Sequence, residues 1–190
     1  MAEHVCPWWV GYLLASPLRR LFHDPVKILS PHVTPRMTVL DLGCAMGFFS
    51  LPLAEMVGPG GRVVCVDLQE RMIRTLKKRA ARAGVSDRIE TRICQAGSLG
   101  LDDLSGTIDF ALAFAVVHEV PDARMLLAEI RSLLRPGGRL LIAEPRGHVR
   151  RAAFETTLAA ATEAGLSLTD RPEMKRTHAA LLERSRESAA

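Results

Sequence analysis

A short apolar run, Met37 to Leu42, leads directly into Gly43-Cys44-Ala45-Met46-Gly47. Glycine at 43 and 47 permits a tight turn and lets backbone come close to a ligand. A helix starting just beyond such a loop would aim N–H groups at the crevice outside the C-terminal ends of the strands. That is the chemistry of holding a nucleotide-like group. Asp67 closes a second apolar run, Arg62 to Asp67, about twenty residues later, where a carboxylate can accept both hydroxyls of a ribose. A strand end is also an ordinary place for an Asp in a turn. Two further runs, Ile108–Val116 and Arg139–Ala143, are followed by His118-Glu119 and by Glu144, Arg146 and His148. His118 titrates near neutral pH and suits a general base. Glu144 is the second catalytic candidate, and Glu119 and His148 are candidates for contact with a substrate.

The glycine spacing separates two nucleotide chemistries. A dinucleotide fingerprint beginning at Gly43 calls for a third glycine at 48, where Phe48 stands. A nicotinamide oxidoreductase is therefore disfavoured. Val39-Leu40-Asp41-Leu42-Gly43-Cys44-Ala45-Met46-Gly47 instead resembles motif I of the class I S-adenosylmethionine-dependent methyltransferases, with Ala45 in place of the middle glycine. Cys94-Gln95-Ala96-Gly97 resembles the family's next cofactor segment, with Gln95 where an Asp is common. Ile108 to Asp122 and Leu133 to Leu140 resemble its fourth motif and the approach to its fifth strand. The resemblance runs from residue 37 to about 145, and more weakly to 185.

This resemblance implies S-adenosylmethionine as cofactor. It places Asp41 near the cofactor's amino-acid end, Asp67 at its ribose and Gln95 at its adenine, and makes Gly43, Ala45, Met46, Gly47, Leu68, Ala96 and Phe114 further cofactor-binding candidates. It also implies a doubly wound, mostly parallel seven-stranded α/β sheet with helices on both faces and a C-terminal β-hairpin. Within the family, His118-Glu119-Val120-Pro121-Asp122 looks most like the quinone-type and arsenite-type small-molecule enzymes, so the expected acceptor is a small molecule.

The elements that must position these residues are legible as alternating runs. Phe48 to Val57 has helical spacing and is stopped by Gly58-Pro59-Gly60-Gly61. Gln69 to Ala83 reads as a helix burying Met72, Ile73, Leu76, Ala80 and Ala83. Arg88 to Cys94 alternates like a more exposed strand. Asp122 to Leu134 reads as a helix with Leu126, Leu127, Ile130, Leu133 and Leu134 on its apolar stripe. Val149 to Ala164 reads as another, closed by Gly165. Leu166–Pro172 and Thr177–Glu183 read as paired strands. Strand–helix alternation of this kind argues for parallel βαβ units.

Residues 1–35 fall outside that rhythm and read as a helical arm or lid, with 36–185 as the cofactor-binding domain and 186–190 as a tail. The arm holds Trp8, Trp9 and Tyr12, three bulky aromatics in five positions, which are candidates for covering the acceptor and excluding water. Cys6 and His4 are too few for a metal site, and no metal is expected.

Composition agrees with a globular chain: 190 residues, 48% apolar, 24% charged and a net charge of +4. A charge this small does not by itself announce a nucleic-acid partner, and none is expected. The basic run Lys77-Lys78-Arg79 keeps open a non-catalytic or RNA-associated alternative. The four cysteines form no Cys-x-x-Cys pair. No apolar stretch reaches membrane-spanning length and no signal segment is evident, so the expected location is a reducing cytoplasm with no membrane partner.

Overall fold

The computed structural model describes residues 23–186. The chain divides into two compact units, with the boundary between Cys94 and Gln95. Its seven strands follow the sheet order β3-β2-β1-β4-β5-β7-β6, mostly parallel with an antiparallel C-terminal hairpin, as expected.

The first unit opens with a short helix, α1 (Pro25–Leu29), capped by the Asp24 side chain on the Val26 amide. Leu29 is fully buried. Then come β1 (Thr38–Leu42), α2 (Ser50–Val57), β2 (Arg62–Asp67), α3 (Glu70–Ala83) and β3 (Ile89–Ile93). The three strands are parallel, with Thr38 opposite Arg62 and Val63 opposite Ile89. Val63, Val64, Cys65 and Val66 are all inaccessible to solvent. Burial on both faces explains why β2 reads as an unbroken apolar run. β3 lies at the sheet edge. It is half-buried along most of its length rather than alternating, and Ile93 is exposed.

Two boundaries in this unit differ from the sequence reading. Residues 45–49 form turns, so α2 begins at Ser50 rather than Phe48. Met72, Ile73, Leu76 and Ala80 are buried as expected, but Ala83 is exposed. The helix stops there: Gly84 adopts φ +69° and its N–H reaches back to the Ala80 and Ala81 carbonyls, a left-handed cap. Val85, just past the cap, is buried instead.

The second unit contains β4 (Ile108–Phe114), α4 (Ala123–Leu133), β5 (Leu134–Pro145), α5 (Arg151–Glu163), β6 (Leu166–Asp170) and β7 (Thr177–Arg184). Asp122 caps α4, accepting from the Arg124 and Met125 amides at 3.0 Å each. Leu134 is buried but opens β5 instead of ending the helix. It pairs with Ile108, and the ladder resumes at Phe110 with Arg139, so Arg135-Pro136-Gly137-Gly138 forms a bulge within β5. Glycine is required at 138 because a Cβ would lie 2.8 Å from the carbonyl oxygens of both Arg135 and Ile108. β5 pairs antiparallel with β7, placing Glu144 opposite His178, and β7 pairs antiparallel with β6.

Candidate functional site

In the first unit the candidate residues converge on the loop after β1. Gly43, Ala45 and Gly47 have φ values of +66°, +47° and +83°. Every second residue is thus left-handed, which folds the loop tightly on itself: the Cys44 amide donates to the Val66 carbonyl at 3.1 Å and the Gly47 amide to the Cys44 carbonyl at 2.9 Å. Gly47 has a second reason to be glycine: a Cβ there would meet Leu76 Cδ1 at 2.3 Å. Arg79, from α3, donates to the Met46 carbonyl and holds the loop from behind.

The two carboxylates have separate tasks. Asp41 is buried and its Oδ2 accepts the Ser50 hydroxyl at 2.5 Å, tying β1 to the first residue of α2. Asp67 accepts the Ala45 amide at 3.0 Å and the Gln69 amide at 2.8 Å. Burial pushes the Asp67 carboxyl above the usual range, and the two amides oppose that shift. Leu68 beside it is 42% exposed, an apolar surface next to a hydrogen-bonding carboxylate. Cys44 is buried, and burial, reinforced by neighbouring Cys65, raises its thiol well above the ordinary value. Its protonated thiol is packing material rather than a nucleophile.

In the second unit, Gln95 and Ser98 exchange backbone bonds of 3.1 and 3.2 Å around Gly97, leaving Gln95 and Ala96 exposed on a tight turn. Glu129 of α4 fixes that turn, accepting from the Leu99 amide at 2.8 Å and the Ser98 hydroxyl at 3.3 Å. Sequence reasoning missed Glu129, which carries no motif signal. Phe114 is buried at the end of β4, and the following Ala115 breaks the strand at φ +57°.

His118 and Glu144 are brought together. Their Nδ1 and Oε2 lie 2.5 Å apart, with Glu144 only 1% exposed. The other carboxylate oxygen accepts the amides of Val117 at 2.8 Å and His118 at 3.3 Å. Glu144 therefore joins the end of β5 to the turn after β4. This contact raises the His118 pKa, burial opposes the rise, and the charges of Glu144 and Glu119 add to it. With Nδ1 on the carboxylate, Nε2 is the nitrogen left for another partner. His148 stands edge-on to His118, with ring centroids 5.8 Å apart. Glu119 is half-buried in the same turn. Trp8, Trp9, Tyr12, His4 and Cys6 lie outside the described residues.

No group of three or more His, Cys, Asp or Glu suited to a metal occurs among the described residues, and no helix there is long and apolar enough to cross a membrane.

Comparison with known proteins agrees with the resemblance. A family model described as a methyltransferase domain matches residues 34–184. The arsenite methyltransferase of Halobacterium salinarum is 32% identical over 112 residues, 59% of this chain and 28% of that protein. The tRNA 5-carboxymethoxyuridine methyltransferase of Escherichia coli is 33% identical over 120 residues, 63% of this chain and 44% of that protein. A solved SAM-dependent methyltransferase from Aquifex aeolicus has the same fold, with a TM-score of 0.83 at 24% identity over 95% of this chain and 100% of that one. The chain spans 41%, 39% and 28% of the length of three curated relatives that it matches.

Proposed function

The chain belongs to the methyltransferase-domain family, and we propose that it is an S-adenosylmethionine-dependent methyltransferase acting on a small molecule, with His118 as general base. The observation that carries the catalytic part is the 2.5 Å contact between His118 and the buried Glu144.

The first unit fits the cofactor. The left-handed positions at Gly43, Ala45 and Gly47 suit close backbone approach, and Met46 is fixed in that loop by Arg79. Asp67 can exchange an intramolecular amide for ribose hydroxyls, and Leu68 offers apolar contact beside it. Asp41, committed to Ser50, acts at one remove by fixing the loop. When bound, S-adenosylmethionine supplies an electrophilic methyl group on a cationic sulfur.

The chain's own contribution is proton removal and placement. Glu144 holds the Nδ1–H tautomer of His118, so Nε2 carries the lone pair. Nε2 would take the proton of an acceptor O–H, N–H or S–H, leaving that atom nucleophilic toward a methyl donor. Glu144 then stabilises the imidazolium. His148 and Glu119, beside His118, line the acceptor's approach. The arm carrying Trp8, Trp9 and Tyr12 is proposed as the cover over the acceptor.

Titration calorimetry with S-adenosylhomocysteine and with NAD tests the reading. Binding of the first and not the second is expected; the reverse overturns it.

A further inference from the structure

Outside the His118–Glu144 pair, the second unit contains a second polar concavity. A cavity of about 130 Å³ is formed by Arg146 after β5, Arg151 and Phe154 at the start of α5, Arg171 after β6, and Thr177 and His178 opening β7. Nothing in the proposed cofactor or proton chemistry uses it.

Its charges are arranged unequally. Glu155 holds Arg171 through two bonds of 2.8 and 2.7 Å and also lies 3.9 Å from Arg151. One carboxylate is thus shared by two guanidinium groups. Glu173 is the only other acid on the lining, so three arginines face two carboxylates before His178 is considered. Arg146 is anchored but not consumed. Its Nε donates to the Thr177 carbonyl at 3.2 Å and its amide to the Arg176 carbonyl at 2.9 Å. Both terminal nitrogens remain without a partner among the described residues. Phe154, 2% exposed and stacked on His178 at 5.5 Å, makes a fixed apolar wall.

The pocket is also placed relative to the proposed base. His178 is directly opposite Glu144 in the β5–β7 ladder. Opposed residues of an antiparallel pair project from the same face with Cβ atoms about 5 Å apart. The cavity therefore opens one strand away from the carboxylate that orients His118.

We propose that this cavity binds a carboxylate group of the methyl acceptor, making the substrate a small organic acid. The inference rests on the reading of His118 as the base for that acceptor. An anchored guanidinium with two terminal NH2 groups matches a planar carboxylate. The excess of a single positive charge suits a monoanion, whereas a phosphate dianion would be set against Glu155 and Glu173.

The test uses the full chain and its R146Q and R146K variants, with 4-hydroxybenzoate, 4-hydroxybenzamide and inorganic phosphate as probes. Binding is read by NMR titration of the arginine Nε–H signals, and S-adenosylhomocysteine affinity is measured on each sample. The acid is expected to bind wild type at least about tenfold more tightly than the amide or phosphate, a preference R146Q abolishes and R146K partly keeps. Cofactor-product affinity stays unchanged throughout. Equal binding of acid and amide, tighter binding of phosphate, no binding of the acid, or a preference that survives in R146Q would each overturn the proposal. If the acid preference holds while S-adenosylhomocysteine fails to bind wild type, the pocket stands and the methyltransferase reading falls. If the cofactor product binds and the preference is absent, only the pocket falls.

Discussion

The amide of Ala45 donates to the carboxylate of Asp67 across 3.0 Å, joining the loop after β1 to the end of β2. One carboxylate thus shapes the glycine-containing loop, and in the proposed reading the same group accepts the ribose hydroxyls. Asp67→Ala should weaken S-adenosylhomocysteine binding by roughly 1.5–3 kcal/mol, the range for hydrogen bonds to a charged acceptor. Calorimetry on the variant checks this. An unchanged affinity would place the ribose elsewhere.

Ala45 carries a side chain at φ +47°, a conformation that costs an L-residue about 1–2 kcal/mol. Ala45→Gly relieves that strain but gives the unfolded chain more freedom, worth about 0.4–1 kcal/mol in the other direction. The net expectation is a gain of between zero and about 1.6 kcal/mol in urea unfolding. A clear loss of stability would mean the Ala45 methyl packs usefully.

Gly47→Ala should have the opposite sign. It puts a Cβ 2.3 Å from Leu76 Cδ1 and demands φ +83° of an alanine. Leu76 is fully buried, so it has little space into which to turn. A loss of about 1–3 kcal/mol is expected from overpacking and strain together. The double variant with Leu76→Ala should show positive coupling as the clash disappears, leaving the backbone strain and the Leu76 cavity.

The His118 pKa lies above its ordinary value of 6.5, chiefly through the Glu144 hydrogen bond. A general base must be neutral, so the acid limb of the rate profile should fall above pH 6.5. Glu144→Gln removes the charge that favours imidazolium. The limb should then move to lower pH while the plateau rate drops, because the amide holds the ring less strongly. For stability the raised pKa works the other way. The pair's contribution is fully present below the unfolded pKa and fades as pH rises through the folded value. The stability difference between wild type and Glu144→Gln should accordingly be larger at pH 6 than at pH 9.

How much of this was legible in the sequence depends on the range of the interaction. β2 runs from Arg62 to Asp67 as read, because a strand buried on both faces writes itself as an apolar run. β7 was legible for a similar reason, being buried through its middle, whereas β6 is exposed beyond Leu166 and writes only a weak strand pattern. The end of α4 was not: Leu134 continues the helical apolar period, yet its pairing with Ile108 draws it into β5. Ala83 failed because the left-handed turn at Gly84 ends α3 and passes the buried place to Val85. Within the candidate sites, His118 and Glu144 were each recognisable as polar residues after strands, but their contact spans 26 positions and follows from the parallel pairing of β4 with β5. The carboxylate cavity was invisible because its lining is gathered from four separate segments.

Methyl transfer to a small molecule is tested by following label from methyl-labelled S-adenosylmethionine with the purified full chain. Small-molecule extracts and bulk tRNA serve as separate acceptor pools, with Asp67→Ala and His118→Ala beside wild type. Label is expected in a low-mass product with wild type, with strongly reduced transfer in both variants and S-adenosylhomocysteine binding retained by His118→Ala. Label entering tRNA instead, or wild-type and His118→Ala transferring label to the low-mass product equally well, would contradict the proposed function.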